Sequence, residues 1–251
     1  MKSNKAVVWY SCGGSSAIAG KLAIKKYGDD VDIVYCDTGG EHESNMVFLK
    51  DCEKWYNRKI IILKNKKYKD HFDVIRKKRL LNNRYGFSYC SHKLKMELKK
   101  DAGYCESINI FGYTYEETER AKKLQEHNVD MILEFPLIDN KIKKEDCLGM
   151  LWQKGIELPL MYKLGYNHNN CIGCVKGGAG YWNKIKIDFP EHFKKMSQIE
   201  KELGVSVLKH RTLDKKGEKL FLEDLKPNMG HYHQEPSITC GIDCHLNINK
   251  I

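Results

Sequence analysis

What most constrains this chain is an alternation of strand-like and helix-like segments through its first half. Short apolar runs of β-forming residues read as strands at 6–10, 31–36 and 59–63, with helical spacing over 15–27 and 43–56 between them. Beyond a basic stretch the pattern resumes with a helix near 91–101, a strand at 107–111 and a helix near 115–127. Strands separated by helices build a mainly parallel sheet with helices on both faces, so the expected fold class is α/β. Such sheets bind ligands beyond the carboxyl ends of their strands. Three segments fall there: SCGGSS (11–16), YCDTGGEH (35–42) and FGYTYEETERA (111–121).

The first of these joins a strand to a helix. Val7, Val8, Trp9 and Tyr10 are β-formers, and Ala17, Ile18, Leu22 and Ala23 fall at helical spacing. At a helix N-terminus the first amides lack partners and the dipole favours an anion. Gly13 and Gly14 let a ligand approach the backbone, while Ser11, Ser15 and Ser16 offer hydroxyls. The turn reads as a phosphate cradle, the alternative being a plain tight turn. It is neither a Walker loop nor the dinucleotide Gly-x-Gly-x-x-Gly pattern. Asp37, at the second rim, suits a ribose hydroxyl or a metal; the alternative is a helix-capping turn at Asp37, Thr38 and Gly39. Three rims converging on one crevice predict a nucleotide site.

With 251 residues and 41% hydrophobic content, one principal α/β domain is expected, and no internal repeat or long linker interrupts it. No apolar leader opens the sequence and no run nears the roughly 18 apolar residues that span a bilayer. A soluble cytoplasmic protein with no membrane partner is therefore expected. The net charge is +10, and residues 58–100 hold fifteen Lys/Arg against Asp70, Asp73 and Glu97. A basic face there would meet polyphosphate or nucleic acid, the alternative being a solvated surface. Later segments read as a short amphipathic helix at 144–154, a helix near 190–203 and a polar tail.

The ten cysteines, in a chain without a secretion signal, favour metal ligation or thiol chemistry over disulfides. Cys171-x-x-Cys174 has strong ligand spacing, because a two-residue turn eased by Gly173 directs both sulfurs at one cation. Cys240 and Cys244, with three residues between them, would complete four thiolates, which suit zinc or an iron-sulfur cluster. Cys12, Cys36, Cys52, Cys105 and Cys147 read as small buried hydrophobes. His231 and His233 read as part of a polar loop rather than a metal pair.

In their order, these segments resemble the phosphoadenosine phosphosulfate (PAPS) reductase family of the adenine nucleotide α-hydrolase, or PP-loop, superfamily. SCGGSSA resembles its Ser-rich PP-loop, VYCDTGGEHESNMVFLKDCEKWY its strand, Asp-Thr-Gly and helix, and YCSHKLKMEL its Cys and basic segment. GYTYEETERA, FPLIDNKIKKEDCLGML and YKLGYNHNNCIGC follow in the family's order, so the resemblance covers roughly residues 5–180. It implies a Rossmann-like fold with a nucleotide-binding domain over 1–165 and a Cys-rich metal-binding segment over 166–251 packed on it.

The resemblance also implies phosphate contacts at Ser11, Gly13, Gly14, Ser15 and Ser16, nucleotide contacts at Asp37 and Thr38, and a far wall including Gly112 and Arg120. The usual ATP-splitting loop reads Ser-Gly-Gly-x-Asp-Ser, whereas Gly14 and Ser15 stand at its x-Asp positions. That departure weighs against ATP cleavage and leaves the binding of an activated adenylyl sulfate. Iron-sulfur members place a Cys-x-x-Cys after a Gly-Tyr like Gly165-Tyr166, with another cysteine where Cys90 lies. The resemblance thus favours a 4Fe-4S cluster on Cys171, Cys174, Cys240 and Cys244, with zinc as the alternative. TCGID resembles the family's Glu-Cys-Gly-Ile/Leu-His motif with Thr239 and Asp243 replacing its Glu and His. Cys240 is therefore ligand or nucleophile, and Cys90 ligand or substrate-facing thiol.

The implied function is binding of an adenine nucleotide, ATP, adenylyl sulfate (APS) or PAPS, and reduction of activated sulfate with a cysteine-held metal or iron-sulfur centre, a thiol donor protein being a candidate partner. The alternatives are ATP-dependent sulfur transfer to tRNA or DNA held on 58–100, and a non-enzymatic nucleotide- and metal-binding module.

Overall fold

The computed structural model describes residues 5–81, 88–104, 106–210, 215–238 and 240. Its centre is a five-stranded parallel sheet in the order β3-β2-β1-β4-β5. The strands are β1 Ala6–Tyr10, β2 Val31–Asp37, β3 Ile61–Lys64, β4 Ile108–Ile110 and β5 Ile132–Glu134. Helices α1 Gly14–Tyr27, α2 Ser44–Tyr56 and α3 His71–Lys78 follow β1, β2 and β3. Then come α4 Tyr89–Ser91 and α5 Glu97–Asp101, joined by a π turn over His92–Met96, and α6 Thr118–His127 between β4 and β5. The second half carries α7 Pro136–Asp139, α8 Lys144–Gln153, α9 Leu160–Lys163, α10 Ala179–Asp188 and α11 Pro190–Leu203. An antiparallel pair of two-residue strands, β6 Leu208–Lys209 and β7 Lys219–Leu220, follows, and then 3-10 turns at Leu222–Asp224 and Tyr232–Gln234.

Every residue of β1 is buried, because a central parallel strand is covered on both faces. Its side chains alternate between two cores. Ala6, Val8 and Tyr10 pack with Ala17 of α1, Phe48 of α2 and Leu151 of α8. Val7 and Trp9 pack on the other face with Val34, Phe111 and Leu124 of α6. A third core lies beyond the sheet, where Met161, Trp182, Met196 and Ile199 enclose Phe72 and Ile75 of α3. Within it the buried Glu200 carboxylate accepts hydrogen bonds from the Val207 and Leu222 amides, both at 2.7 Å. This anchors the segment around β6 and β7 to α11.

The chain runs from β1 outward through β2 to β3, then returns to pair β4 with the opposite edge of β1. Strand order reverses at β1, and the crevice of such a sheet opens beyond its carboxyl end. The loops after β1 and β4 meet there. The first four strands and the helices α1, α2, α6, α8 and α11 lie where the sequence pattern predicts them, to within a few residues. The structure adds α3 and α10 and a three-residue β5, none evident from periodicity. No described helix is long and apolar enough to cross a membrane.

Candidate active site

The loop after β1 is organised by one hydroxyl. Ser16 Oγ accepts from the Ser11 amide at 3.1 Å and the Gly13 amide at 3.3 Å, and donates to Gly13 O at 2.9 Å. Cys12 completes the turn in the left-handed region, at φ 54°. The Gly14 amide reaches Tyr162 Oη at 3.4 Å. Ser16 thus shapes the cradle from inside, where the Ser11 hydroxyl donates to its Oγ at 3.1 Å, and Ser11 and Ser15 border the space beyond it. Gly14 faces protein: a Cβ there would come within 2.7 Å of Leu148 Cδ2.

That space is a cavity of about 580 Å³ at the carboxyl ends of β1 and β4. Ser11, Gly13, Ser15, Ser16, Gly112 and Arg120 are among its lining residues; Gly14, Asp37 and Thr38 are not. Gly112 lies so close to α1 that a Cβ would sit 2.7 Å from Ser16 Cα. The Arg120 guanidinium pairs with Glu117 and stands 4.3 Å from the Tyr113 ring centre. Asp37 closes its own loop, accepting from the Gly39 amide at 2.8 Å and from Lys64 Nζ at 2.6 Å.

Several lining residues carry no motif of their own in the sequence. Lys144 and His168 stand near Arg120, and burial together with the Lys144 charge holds the His168 imidazole down at about 4, so it is neutral at pH 7. Burial pushes the Tyr162 hydroxyl up to about 12, keeping it a neutral hydrogen-bonding group beside the loop. Asn169 Nδ2 donates to Cys12 O at 2.8 Å, which ties the cradle to the segment leading into Cys171. His168 and Asn169 sit in the NHNNCIGC run, where the Cys-x-x-Cys spacing masks the polar residues before it.

Four cysteines gather behind this cavity. Cys90, Cys171, Cys174 and Cys240 line a second cavity of about 20 Å³, with room for about one water molecule. Burial and the neighbouring Cys174 and Cys240 push Cys90 up to about 12, and burial takes Cys174 to about 11. At Cys240 burial is outweighed by the Lys95 ammonium and a hydrogen bond with Ser91, which hold the thiol below its ordinary value. Lys95 is itself buried, 3.7 Å from Glu41. Thr38 Oγ1 lies 3.1 Å from Cys171 Sγ, so Thr38 touches one of these thiols without lining either cavity. Cys244 lies outside the described residues, as do Thr239, Asp243 and Cys105.

Lys95, Asn170 and Cys240 line both cavities. The donor set, four thiols and one imidazole with no carboxylate, fits a thiolate-held centre in kind. Among the described residues no three Cys, His, Asp or Glu side chains converge closely enough to hold one ion.

Much of the positive excess in 58–100 is engaged within the protein. Arg58, Lys59, Lys64, Arg76, Lys77 and Lys93 pair with acidic side chains. Lys99 is buried with its ammonium 3.8 Å from the Trp9 ring centre. Lys66, Lys67, Lys69 and Arg79 are exposed.

The phosphoadenosine phosphosulfate reductase domain model matches residues 5–179. Among curated proteins the chain is similar to the uncharacterized protein MJ0066 of Methanocaldococcus jannaschii, 26% identical over 213 residues, covering 78% of this chain and 41% of that protein. MJ0973 of the same organism is 24% identical over 199 residues, covering 76% of this chain and 47% of that one. The chain thus spans less than half the length of these relatives. Among solved structures it is similar to phosphoadenylyl-sulfate reductase from Candida auris in a phosphate complex, at TM-score 0.49 and 14% identity, covering 66% of this chain and 80% of that one. It is also similar to the U34-tRNA thiolase NcsA from Methanococcus maripaludis with its 4Fe-4S cluster, at TM-score 0.46 and 14% identity, covering 84% and 77%.

Proposed function

The chain belongs to the phosphoadenosine phosphosulfate reductase domain family, and from that premise we propose that it is an enzyme acting on an adenylyl sulfate with a cysteine thiol. The nucleotide lies in the larger cavity with its phosphates at the N-terminus of α1, met by Ser11, Gly13 and Ser15. Residues 1–165 supply the nucleotide-binding part together with Cys90, and 166–251 bring Cys171, Cys174 and Cys240 to it. The observation that carries this reading is the shared wall of the two cavities: Cys240 and Lys95 border both the nucleotide space and the cysteine space.

In the reaction the Cys240 thiolate attacks the sulfuryl sulfur. A sulfur-sulfur bond forms, the sulfur-oxygen bond to the nucleotide breaks, and its electron pair leaves on the nucleotide phosphate. Lys95 offers a buried positive charge to the anions on both sides of this transfer. A thiol from a donor protein then attacks Cys240 Sγ and expels sulfite with the bonding pair. Sulfur is reduced by two electrons and two thiols become a disulfide. Were a 4Fe-4S cluster or zinc to bind, Cys90, Cys171 and Cys174 are the thiols that would draw together to hold it. Such a centre supplies electron or Lewis-acid chemistry when bound.

Titrating adenylyl sulfate, PAPS, ATP and tRNA against the protein, with sulfite release followed in the presence of a dithiol, tests the reading. Binding of a sulfated nucleotide, with sulfite released by the wild type but not by Cys240→Ser, is the expected result. Thiolation of tRNA with ATP and no sulfite release would replace it with the sulfur-transfer reading, for which exposed Lys66, Lys67 and Lys69 offer a surface. Nucleotide binding with neither product would leave an accessory module.

A further inference from the structure

The side chain of Asn169 is more than nine-tenths buried in the wall of the larger cavity. Its Nδ2 donates to two acceptors, Cys12 O at 2.8 Å and Asn45 Oδ1 at 2.7 Å. Cys12 O is a carbonyl and accepts only. Asn45 presents its oxygen because its own Nδ2 donates to the Glu41 carboxylate at 2.8 Å. Two independent partners therefore fix which way the Asn169 amide points. Its Oδ1 is left buried, with no hydrogen-bond partner among the described residues. A buried carbonyl in that state is unfavourable until a donor reaches it.

The missing donor has a defined chemistry. Phosphate and sulfate oxygens at neutral pH are acceptors and cannot satisfy a carbonyl. Asn169 is bonded to Cys12, inside the loop that would hold the phosphates. Along an adenine nucleotide the first donor-bearing group next to the phosphates is the ribose, and the adenine amino group lies at the far end. We infer that Asn169 is a specificity-determining residue whose Oδ1 accepts a hydrogen bond from a ribose hydroxyl of the bound nucleotide, while its Nδ2 holds the phosphate loop. This rests on the nucleotide reading proposed above.

The experiment is equilibrium binding of AMP, 2′-deoxy-AMP and 3′-deoxy-AMP to the full chain and to Asn169→Ala, with Asn169→Ser as a second variant should the first fail to fold. The wild type should bind one deoxy analogue about tenfold more weakly than AMP, the loss expected for one hydrogen bond to a buried acceptor. In the variant that analogue and AMP should bind equally, because the group that told them apart is gone. Equal binding of all three by the wild type, or an undiminished deoxy penalty in the variant, overturns the assignment while leaving the nucleotide site intact. A wild type that binds neither AMP, ATP nor adenylyl sulfate overturns the nucleotide site and the assignment together.

Discussion

At Gly112 a single methyl group has no place to go. The Cβ of an alanine would approach Ser16 Cα at 2.7 Å and Ser16 N at 2.8 Å, both backbone atoms of α1 that no rotamer change can move aside. Gly112→Ala should therefore cost roughly 1–3 kcal/mol, the range for overpacking a tight interior, read as a lower urea midpoint at unchanged slope. An unchanged midpoint would mean the β4 loop and α1 separate freely. The sequence marks Gly112 only through its resemblance to a nucleotide-site segment, and a residue so distant in the chain as Ser16 leaves no local trace of the contact. Gly39 differs in this respect. Its φ of 64° belongs to the left-handed region that its Asp-Thr-Gly-Gly turn announces. The bond from the Gly39 amide to Asp37 is of the local kind that turn residues form, and is legible for the same reason. Asn169 stood at the opposite extreme, because nothing in an Asn-Asn pair says which carboxamide faces a cavity.

At the scale of elements, legibility followed length and continuity of apolar residues. β1 and β2 are buried runs between clear turns, and α11 carries Phe193, Met196 and Ile199 at helical spacing. β5 has three residues, too few for any period, and α3 hides Phe72, Val74 and Ile75 among four basic or imidazole side chains. The helix missed at most consequence is α10, since it shapes the cysteine turn. Tyr181 Oη accepts from the Gly173 and Cys174 amides, both at 3.0 Å, and lies 3.3 Å from Cys171 O as donor. Gly173 has φ 76°, and a Cβ there would come within 3.2 Å of Trp182 on the same helix. The Cys-x-x-Cys spacing announced a ligand turn, but its geometry is set by α10. Tyr181→Phe leaves two buried amides without an acceptor, so stability should fall by about 1–3 kcal/mol. The same variant, reconstituted with zinc or with iron and sulfide, should retain less metal than the wild type in a chelator competition. Full retention would show that the turn holds its shape without the tyrosine, and would separate the stability effect from ligand positioning.

Over the whole molecule the sheet and the C-terminal core are bound into one unit by contacts that cross between them. The Ile172 amide donates to Gly40 O at 2.8 Å, Lys195 pairs with Asp70 at 2.9 Å, and α3 contributes Phe72 and Ile75 to the far core. The strand order was predictable in kind, as a parallel sheet, but not in sequence, because no local pattern says that the chain returns to β1 after β3. This unity gives the titration of single buried groups a global readout. His168 faces Lys144, Arg120 and Glu117, and burial with the Lys144 charge lowers it to about 4. Burial and Lys195 likewise lower His192, which faces Asp70, His42 and Glu191. As pH falls below about 6.5 the unfolded chain takes up these protons and the native one does not, so native stability decreases down to the folded pKa. Depressed carboxylates such as Asp70 act in the same direction, but at lower pH, below their unfolded value near 4. Glu41 and Glu200, raised by burial, act oppositely, because the native state binds their protons first. Burial lowers His71, beside Asp70 and Lys195, to about 4 as well, and between pH 7 and 5 the histidines should dominate, His71 and His168 each costing the wild type roughly 2 kcal/mol. His168→Asn should make that decline shallower by about 2 kcal/mol in urea melts across the same interval, with the shares of His71, His92 and His192 and the carboxylate loss below pH 4 left in place. A variant whose decline matches the wild type would show that His168 titrates as an ordinary imidazole, open to water despite its place in the cavity wall.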